Sequence, residues 1–182
     1  IELYLAQEYA PGKSLAQLVQ EGKHFTEPEV IEIGREITKI LHYLHTFSPA
    51  IIHRDIKPEN IILTPDNRMY LVDFGAIRDT LFSEYTSHDS ASTVVGTYGY
   101  MPVEQFRGRV LPASDIYALG MTLIYLLSRK EPAMIEKKGL SLKFRPHVRI
   151  SRRFAAIIEK MIAPDAAKRY QTAIGVQKDL CR

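Results

Sequence analysis

The sequence predicts a mainly α-helical fold, α+β overall, in which one short β-hairpin and an N-terminal strand interrupt a bundle of helices. Apolar residues recur at helical spacing in several separate segments. Two short apolar runs flank a segment whose composition is that of a turn. The 182 residues are 46% apolar and 25% charged, as in an ordinary globular domain, so one compact unit over residues 1–182 is expected.

The first elements are a strand and a short helix. Residues 3–9 have the mixed apolar character of a strand, which the Pro-Gly pair at 11–12 ends. Ser14 and Gln17 form a capping-box pattern, which predicts a helix that stops near Gly22.

A longer helix follows. Thr26 and Glu29 repeat the capping-box pattern, and the helix is predicted to end before the Ser-Pro pair at 48–49. Its buried face is formed by apolar residues at helical spacing, namely Val30, Ile33, Ile37, Ile40, Leu41 and Leu44.

The middle of the chain contains a hairpin and a long loop. The two apolar runs of the hairpin are residues 61–63 and 69–72, and the turn between them is 64–68. From residue 73 to about 104 the sequence is polar and irregular, and a loop of this length in a compact domain is usually functional or disordered. The loop carries a hydroxyl cluster made of Thr86, Ser87, Ser90, Ser92 and Thr93.

Three helices complete the chain. The first is predicted to be capped by Ser114, and the others span about residues 151–162 and 172–180. The longest apolar stretch, residues 118–127, is well short of the ~20 residues needed to cross a bilayer, so we interpret it as a buried helix and expect no membrane span. The apolar residues of the first helix are Ile116, Leu119, Leu123, Ile124 and Leu127.

Net charge, cysteine content and the first residues indicate the kind of partner and the cellular compartment to expect. The net charge is only +3, and a basic run over residues 145–153 is typical of a solvated face, so no nucleic-acid partner is expected. The single cysteine, Cys181, cannot form an internal disulfide, which suits a reducing cytoplasm. No signal peptide is visible and the first residue is Ile1, so we expect the chain to begin inside a larger protein or to be a fragment.

Polar residues at the two ends of the hairpin point to phosphate chemistry. Because the two strands are antiparallel, Asn60 just before the first and Asp73 just after the second are expected side by side. Amide and carboxylate oxygens are ligands that magnesium selects. Asp55 could align or deprotonate a substrate hydroxyl, and Lys57 could place its ammonium against a transferring phosphate.

These residues stand in motifs that resemble those of a known family. Residues 51–60 are similar to the catalytic loop of eukaryotic-like protein kinases, and Asp73, Phe74 and Gly75 are similar to their magnesium loop. Lys57, two residues after Asp55, resembles the serine/threonine class. The resemblance implies the large lobe of a protein kinase as the fold, ATP and Mg²⁺ as cofactors, and protein Ser/Thr hydroxyls as substrates.

The same resemblance implies supporting roles for residues farther along the chain. Thr97 is expected to hydrogen-bond Asp55 and Lys57, and Asp115 to brace the catalytic loop. Arg169 is expected to pair with Glu104. His53 and Phe74 are expected to pack in the core, whereas Arg54 could grip a phosphate in the hydroxyl cluster, for example at Thr93.

The N-terminal strand is similar to the hinge of the family. The resemblance implies that the backbone of Glu8 and Ala10 bonds the adenine of ATP and that Ile62 lies beneath the base. The cofactor-binding set is therefore Glu8, Ala10, Ile62 and Lys57.

Three features depart from the family pattern. The glycines before the catalytic loop, at 12, 22 and 34, do not fit G-x-G-x-x-G, and no small-lobe lysine or partner glutamate is present. The usual Ala-Pro-Glu becomes Pro102-Val103-Glu104, and residues 130–149 are short for a helix that often docks protein substrates. We therefore expect a partial kinase domain, with hinge and large lobe but no small lobe, that is inactive alone.

Two other function classes stay open. A non-catalytic binding module that keeps the kinase surface would also explain a missing small lobe, which an upstream domain could otherwise supply. A small-molecule phosphotransferase related to the aminoglycoside kinases shares the catalytic and magnesium aspartates. Lys57, the segment 96–100 and the expected Glu104–Arg169 pair argue against it.

Overall fold

The computed structural model describes residues 8–74 and 96–182. Helices make up most of its regular structure, beside two small antiparallel sheets, so the predicted fold class is confirmed. Several predictions fall on residues 1–7 and 75–95 and therefore lie outside the described residues. They concern most of the N-terminal strand, Gly75 and the hydroxyl cluster that includes Thr93.

The described ranges contain six α-helices and four short 3-10 turns. The α-helices are α1 (Leu15–Gln20), α2 (Glu27–His45), α3 (Val103–Phe106), α4 (Pro112–Ser128), α5 (Arg152–Met161) and α6 (Ala173–Leu180). The 3-10 turns are Pro58–Asn60, Pro132–Met134, Arg145–His147 and Ala166–Lys168.

The predicted hairpin is present and is extended by a third strand. Strands β2 (Ile61–Leu63) and β3 (Met69–Leu71) pair antiparallel, with Ile61 opposite Leu71, and β1 (Lys13–Ser14) pairs with the other edge of β2. Gly12 allows this pairing, because a Cβ there would lie 2.4 Å from the Leu63 carbonyl oxygen.

Two strand predictions need correction. Residues 8 and 9, the described end of the predicted N-terminal strand, lie outside any strand, and β1 follows the Pro-Gly pair instead. A second hairpin, β4 (Lys137–Lys138) and β5 (Ser141–Leu142), was not predicted. It turns at Gly139, whose φ is +61°, and its two-residue strands are too short for a visible alternation of apolar and polar residues.

Both predicted capping boxes are confirmed at the starts of α1 and α2. Ser14 Oγ accepts the Gln17 N–H at 3.1 Å, and Glu29 Oε2 accepts the Thr26 N–H at 2.7 Å. The predicted cap of α4 is wrong, because α4 begins at Pro112 and Ser114 lies in its first turn, where its Oγ accepts the Leu111 N–H at 3.2 Å. Proline suits this start because its missing N–H needs no partner there.

Helix α4 is the centre of the core. It is buried on nearly every side, and α2, α5 and α6 pack around it. Gly120 permits the close approach of α5, since a Cβ at this position would lie 2.7 Å from Ile162 Cγ2. No helix among the described residues is both long and apolar enough to cross a membrane. The buried first turn of α4 positions the loop described next.

Candidate active site

Asp115 fixes the backbone of the loop that precedes the hairpin. Its side chain is fully buried, and its two carboxylate oxygens accept the N–H groups of His53 and Arg54, each at 2.9 Å. His45, at the end of α2, donates from Nε2 to Asp115 Oδ2 at 3.0 Å. The predicted brace is therefore observed, and one helix residue holds two successive loop amides.

His53 connects this loop to the end of the hairpin. Its Nδ1 accepts the Asp55 N–H at 3.4 Å, so Nε2 carries the proton and donates to the Val72 carbonyl at 3.1 Å. Burial lowers the pKa of the His53 imidazole, although the nearby carboxylates of Asp115 and Asp55 oppose this shift. The ring packs on Phe74 with centroids 4.7 Å apart, as predicted for a structural pair.

The Asp55 carboxylate is held by three side chains. Thr97 donates from Oγ1 to Asp55 Oδ1 at 2.7 Å, and Lys57 Nζ lies 3.0 Å from Oδ2 and 2.8 Å from Thr97 Oγ1. Asn60 donates from Nδ2 to the Asp55 carbonyl at 2.8 Å and to Oδ2 at 3.2 Å. The predicted bonds of Thr97 to Asp55 and Lys57 are confirmed. The carboxylate is thus oriented, yet its side chain keeps 17% exposure for a substrate.

The hairpin brings Asn60 to the start of the next loop. The Val72 N–H donates to the Asn60 carbonyl at 2.9 Å. Val72 directly precedes Asp73, so this bond brings Asn60 next to the start of the loop that begins at Asp73. Because the Asn60 Nδ2 is committed to Asp55, its Oδ1 is the side-chain atom left to face a ligand. This pairing agrees with the expected adjacency of the two residues.

Two site residues have backbone conformations that non-glycine residues rarely adopt. Arg54 has a φ of 72° and Asp73 a φ of 64°. Such conformations cost about 1–3 kcal/mol and persist only where the surroundings enforce them. At Arg54 the enforcing bonds are visible: Asp115 accepts its N–H, and Gln105 donates from Nε2 to its carbonyl at 2.6 Å.

The predicted Glu104–Arg169 ion pair anchors the segment after Thr97. Arg169 NH1 lies 2.6 Å from Glu104 Oε1, and NH2 lies 3.2 Å from Oε2. The guanidinium is fully buried and stacks over the Tyr117 ring at 4.7 Å. Burial raises the pKa of Glu104, but hydrogen bonds and charge from Arg169 outweigh it, so the pKa lies below its ordinary value.

The residues expected to hold adenine are only partly placed. Glu8 is exposed and Ala10 half-buried, both in irregular backbone, whereas Ile62 is half-buried in β2 opposite Ser14 and Tyr70. The loop that carries Thr93 and Gly75 lies outside the described residues. The structure thus brings Asp55, Lys57, Asn60 and Thr97 together and leaves the adenine side open to proposal.

Sequence reasoning missed three polar side chains that complete the site. Gln105 is buried under the Arg54 carbonyl, His45 supports Asp115, and Ser114 donates from Oγ to Glu104 Oε1 at 3.0 Å. The position of Gln105 directly after Glu104 was the one available signal. For the other two, nothing in the sequence distinguishes a buried bonding partner from a surface residue.

Comparison with known proteins agrees with this geometry. A family model described as the protein kinase domain matches residues 1–180. Serine/threonine-protein kinase B of Synechocystis sp. is 41% identical over 180 residues, which cover 94% of this chain and 31% of that protein. PknA of Nostoc sp., also a serine/threonine-protein kinase, is 41% identical over 179 residues, with coverages of 94% and 31%. PknB of Mycobacterium leprae is 33% identical over 192 residues, with coverages of 98% and 30%.

The family model covers nearly the whole chain. The chain belongs to the protein kinase family, and the relatives it resembles are serine/threonine kinases. It spans about a third of the length of these curated relatives.

Proposed function

We propose that this chain is the hinge and large lobe of an ATP-dependent protein serine/threonine kinase. The observation that carries the proposal is the Asp55 carboxylate, fixed between Thr97 Oγ1, Lys57 Nζ and Asn60 Nδ2 on a loop clamped by Asp115. Such a carboxylate is suited to orient a hydroxyl and accept its proton, which is worth roughly 10² to 10⁴ in rate.

The other proposed roles follow from position and charge. Lys57 neutralises charge on the transferring phosphate, since its ammonium lies at the same carboxylate. The backbone of Glu8 and Ala10 and the side chain of Ile62 border the adenine. Arg54 is proposed to bind a phosphate on a hydroxyl such as that of Thr93.

The residues at the hairpin fit a magnesium ion. Asn60 offers Oδ1 and Asp73 offers a carboxylate, which together are the hard oxygen donors that magnesium prefers. A bound Mg²⁺ supplies charge neutralisation at the phosphates of ATP. Within the described residues, no group of three or more His, Cys, Asp or Glu side chains forms a competing metal site.

The small lobe is proposed to come from sequence outside these 182 residues. They contain no G-x-G-x-x-G loop with its lysine, and the chain matches only about a third of its relatives' length. Because positioning and electrostatic clamping carry most of phosphoryl transfer, we expect negligible activity from the 182 residues alone. Turnover at the rates usual for kinases, about 1 to 100 per second, would refute this. A cytoplasmic location is proposed on the single, unpaired Cys181.

Transfer of labelled phosphate from ATP to protein serine or threonine tests the proposal. The protein is expressed with the in-frame coding sequence upstream of Ile1, and magnesium dependence is measured. The variant with both Asp55→Asn and Asp73→Asn should lose transfer, whereas Asp66→Asn, in an exposed ion pair with Arg68, should not. Activity that survives the double substitution would show that the transfer does not depend on this site and would overturn the kinase proposal.

A further inference from the structure

The second hairpin carries two exposed lysines, Lys137 and Lys138. Many surface cations are paired with carboxylates, as in Lys13–Glu21 and Arg35–Glu32. Lys137 and Lys138 are exposed, and within residues 8–74 and 96–182 no carboxylate lies within ion-pair distance of either. This hairpin, residues 137–142, is called the basic hairpin below.

Charge is concentrated around this hairpin. Residues 129–153 contain nine of the 24 Lys and Arg residues and two of the 21 Asp and Glu residues. Their net charge is therefore +7, whereas the whole chain carries +3 and the remaining residues carry −4. A local excess of this size attracts acidic partners and raises their association rate.

Apolar side chains stand among these charges. Leu140, at the tip of the basic hairpin, is 67% exposed, and Met134, in the turn before it, is 83% exposed. Single exposed apolar residues need no explanation. Here, however, the two flank Lys137 and Lys138, which gives the surface both apolar and cationic contacts for one partner.

The basic hairpin is continuous with the Asp55 site. Thr97 bonds Asp55, and two residues later Gly99 packs against the turn that precedes the hairpin: a Cβ on Gly99 would lie 3.1 Å from the Ala133 nitrogen. Gly99 has a φ of +95°, so glycine is suited to this close contact. Exposed Tyr98 and Met134 are the sequence neighbours of this packed pair.

We propose that the basic hairpin docks an acidic, apolar segment of the protein substrate while the substrate's hydroxyl lies at Asp55. This inference rests on the proposed kinase function and names its substrate class. Glutamate and aspartate complement Lys137 and Lys138, and an apolar residue of the segment packs on Leu140 and Met134. A protein substrate fits better than an anionic membrane, because the turn before the basic hairpin packs against Gly99, two residues after Thr97, which bonds Asp55.

Peptide binding tests the inference without requiring catalysis. Fluorescence anisotropy measures the affinity of the protein for two peptides. The acidic peptide has a serine with a flexible Gly-Ser spacer on either side and a segment of Glu and Leu. In the neutral peptide, Gln replaces each Glu. The protein should bind the acidic peptide, and binding should weaken with added salt. The double substitution Lys137→Gln and Lys138→Gln should weaken it about tenfold, and Leu140→Ser should weaken it as well.

The matched control is the double substitution Lys168→Gln and Lys178→Gln. Both lysines are exposed and lie outside residues 129–153, so acidic-peptide affinity should stay unchanged. Equal affinity of wild type for both peptides, or equal loss in the two double variants, overturns the inference. The inference is also overturned if the Lys137 and Lys138 double variant loses binding to vesicles that contain phosphatidylglycerol but still binds the acidic peptide. That result would favour a membrane as the partner.

Kinetics separate this inference from the proposed function. In the longer form of the protein, the Lys137 and Lys138 substitutions should raise KM about tenfold for the acidic peptide, with kcat and the neutral peptide unaffected. A rise in KM for both peptides overturns docking. If no peptide is phosphorylated yet lysine-dependent binding persists, the kinase proposal fails and the hairpin remains an acidic-segment binding surface.

Discussion

Glu104 and Arg169, 65 positions apart, form a two-pronged ion pair in which every N–H of the guanidinium has an acceptor. Beyond Glu104, the acceptors are the carbonyls of Ala163, Ala113 and Pro164. The pair therefore ties the start of α3 both to the start of α4 and to the segment that follows α5.

Removal of Arg169 should cost much of the stability of the fold. Arg169→Ala leaves the Glu104 carboxylate half-buried without its cation, which typically costs about 3 kcal/mol in the free energy of unfolding. Arg169→Lys should cost less, because it keeps the charge and loses the fork. Urea denaturation measures both. Arg68→Ala, which breaks an exposed pair with Asp66, is the control and should cost under about 1 kcal/mol.

The contribution of Glu104 should depend on pH with a definite sign. Its folded pKa lies below the unfolded value of 4.5, so its stabilisation is present in full above that pH and is lost as the pH falls through the folded pKa. The stability gap between wild type and Glu104→Gln should accordingly be largest near neutrality and shrink below pH 4.5. Denaturation curves across this range measure the gap. A gap that widens towards acid would contradict the assignment.

Thr97 should matter for catalysis through its hydroxyl. Thr97→Val removes the bond to Asp55 Oδ1 and the acceptor for Lys57 at similar volume, so the carboxylate loses its fixed orientation. We expect kcat to fall by up to about a hundredfold, which is the loss that a displacement of a reacting group by about 1 Å can cause. Thr97→Ser keeps both bonds and should retain most activity. Phosphate transfer by the longer form of the protein measures the contrast, and equal activity of both variants would sink this role.

Two glycine substitutions should have opposite effects on stability. Gly120→Ala places a Cβ 2.7 Å from Ile162 Cγ2 and 3.0 Å from Met161 Cβ, so α4 and α5 must separate at a cost of about 1–3 kcal/mol. At Gly175 in α6 an added Cβ meets atoms no closer than 3.4 Å. Gly175→Ala should therefore stabilise the protein by roughly 0.5 kcal/mol through helix propensity. Thermal unfolding measures both; a stable Gly120→Ala variant would show that this contact can relax.

The helices could be predicted because their signals are local. Thr26 and Glu29 mark the start of α2, and Ser151 and Thr172 cap α5 and α6, each within three residues of its bonding partner. The small strands could not be predicted from such local signals. β1 exists because Gly12 lets the backbone approach Leu63, and β4 and β5 consist of two residues each, which is too short to show a period.

The residues of the site also fall into two groups, those that sequence motifs predicted and those that only the structure shows. Asp55, Asn60, Thr97 and Asp115 were identified because they stand in a recognisable order, and their hydrogen bonds are observed. Gln105 and His45 bond residues 51 and 70 positions away, through contacts that only tertiary packing creates. A buried glutamine or histidine has no pattern in sequence that separates it from an exposed one.

The first turn of α4 contains Ser114 and Asp115 as neighbours, and these two side chains point their bonds at different parts of the site. Ser114 reaches Glu104, whereas Asp115 reaches the amides of His53 and Arg54. The loop before Asp55 and the segment that begins at Glu104 are thus fixed by adjacent residues of the same helical turn. A displacement of that turn would move the loop and the segment together. Their position relative to each other would therefore be kept even when mutations change the surrounding surface.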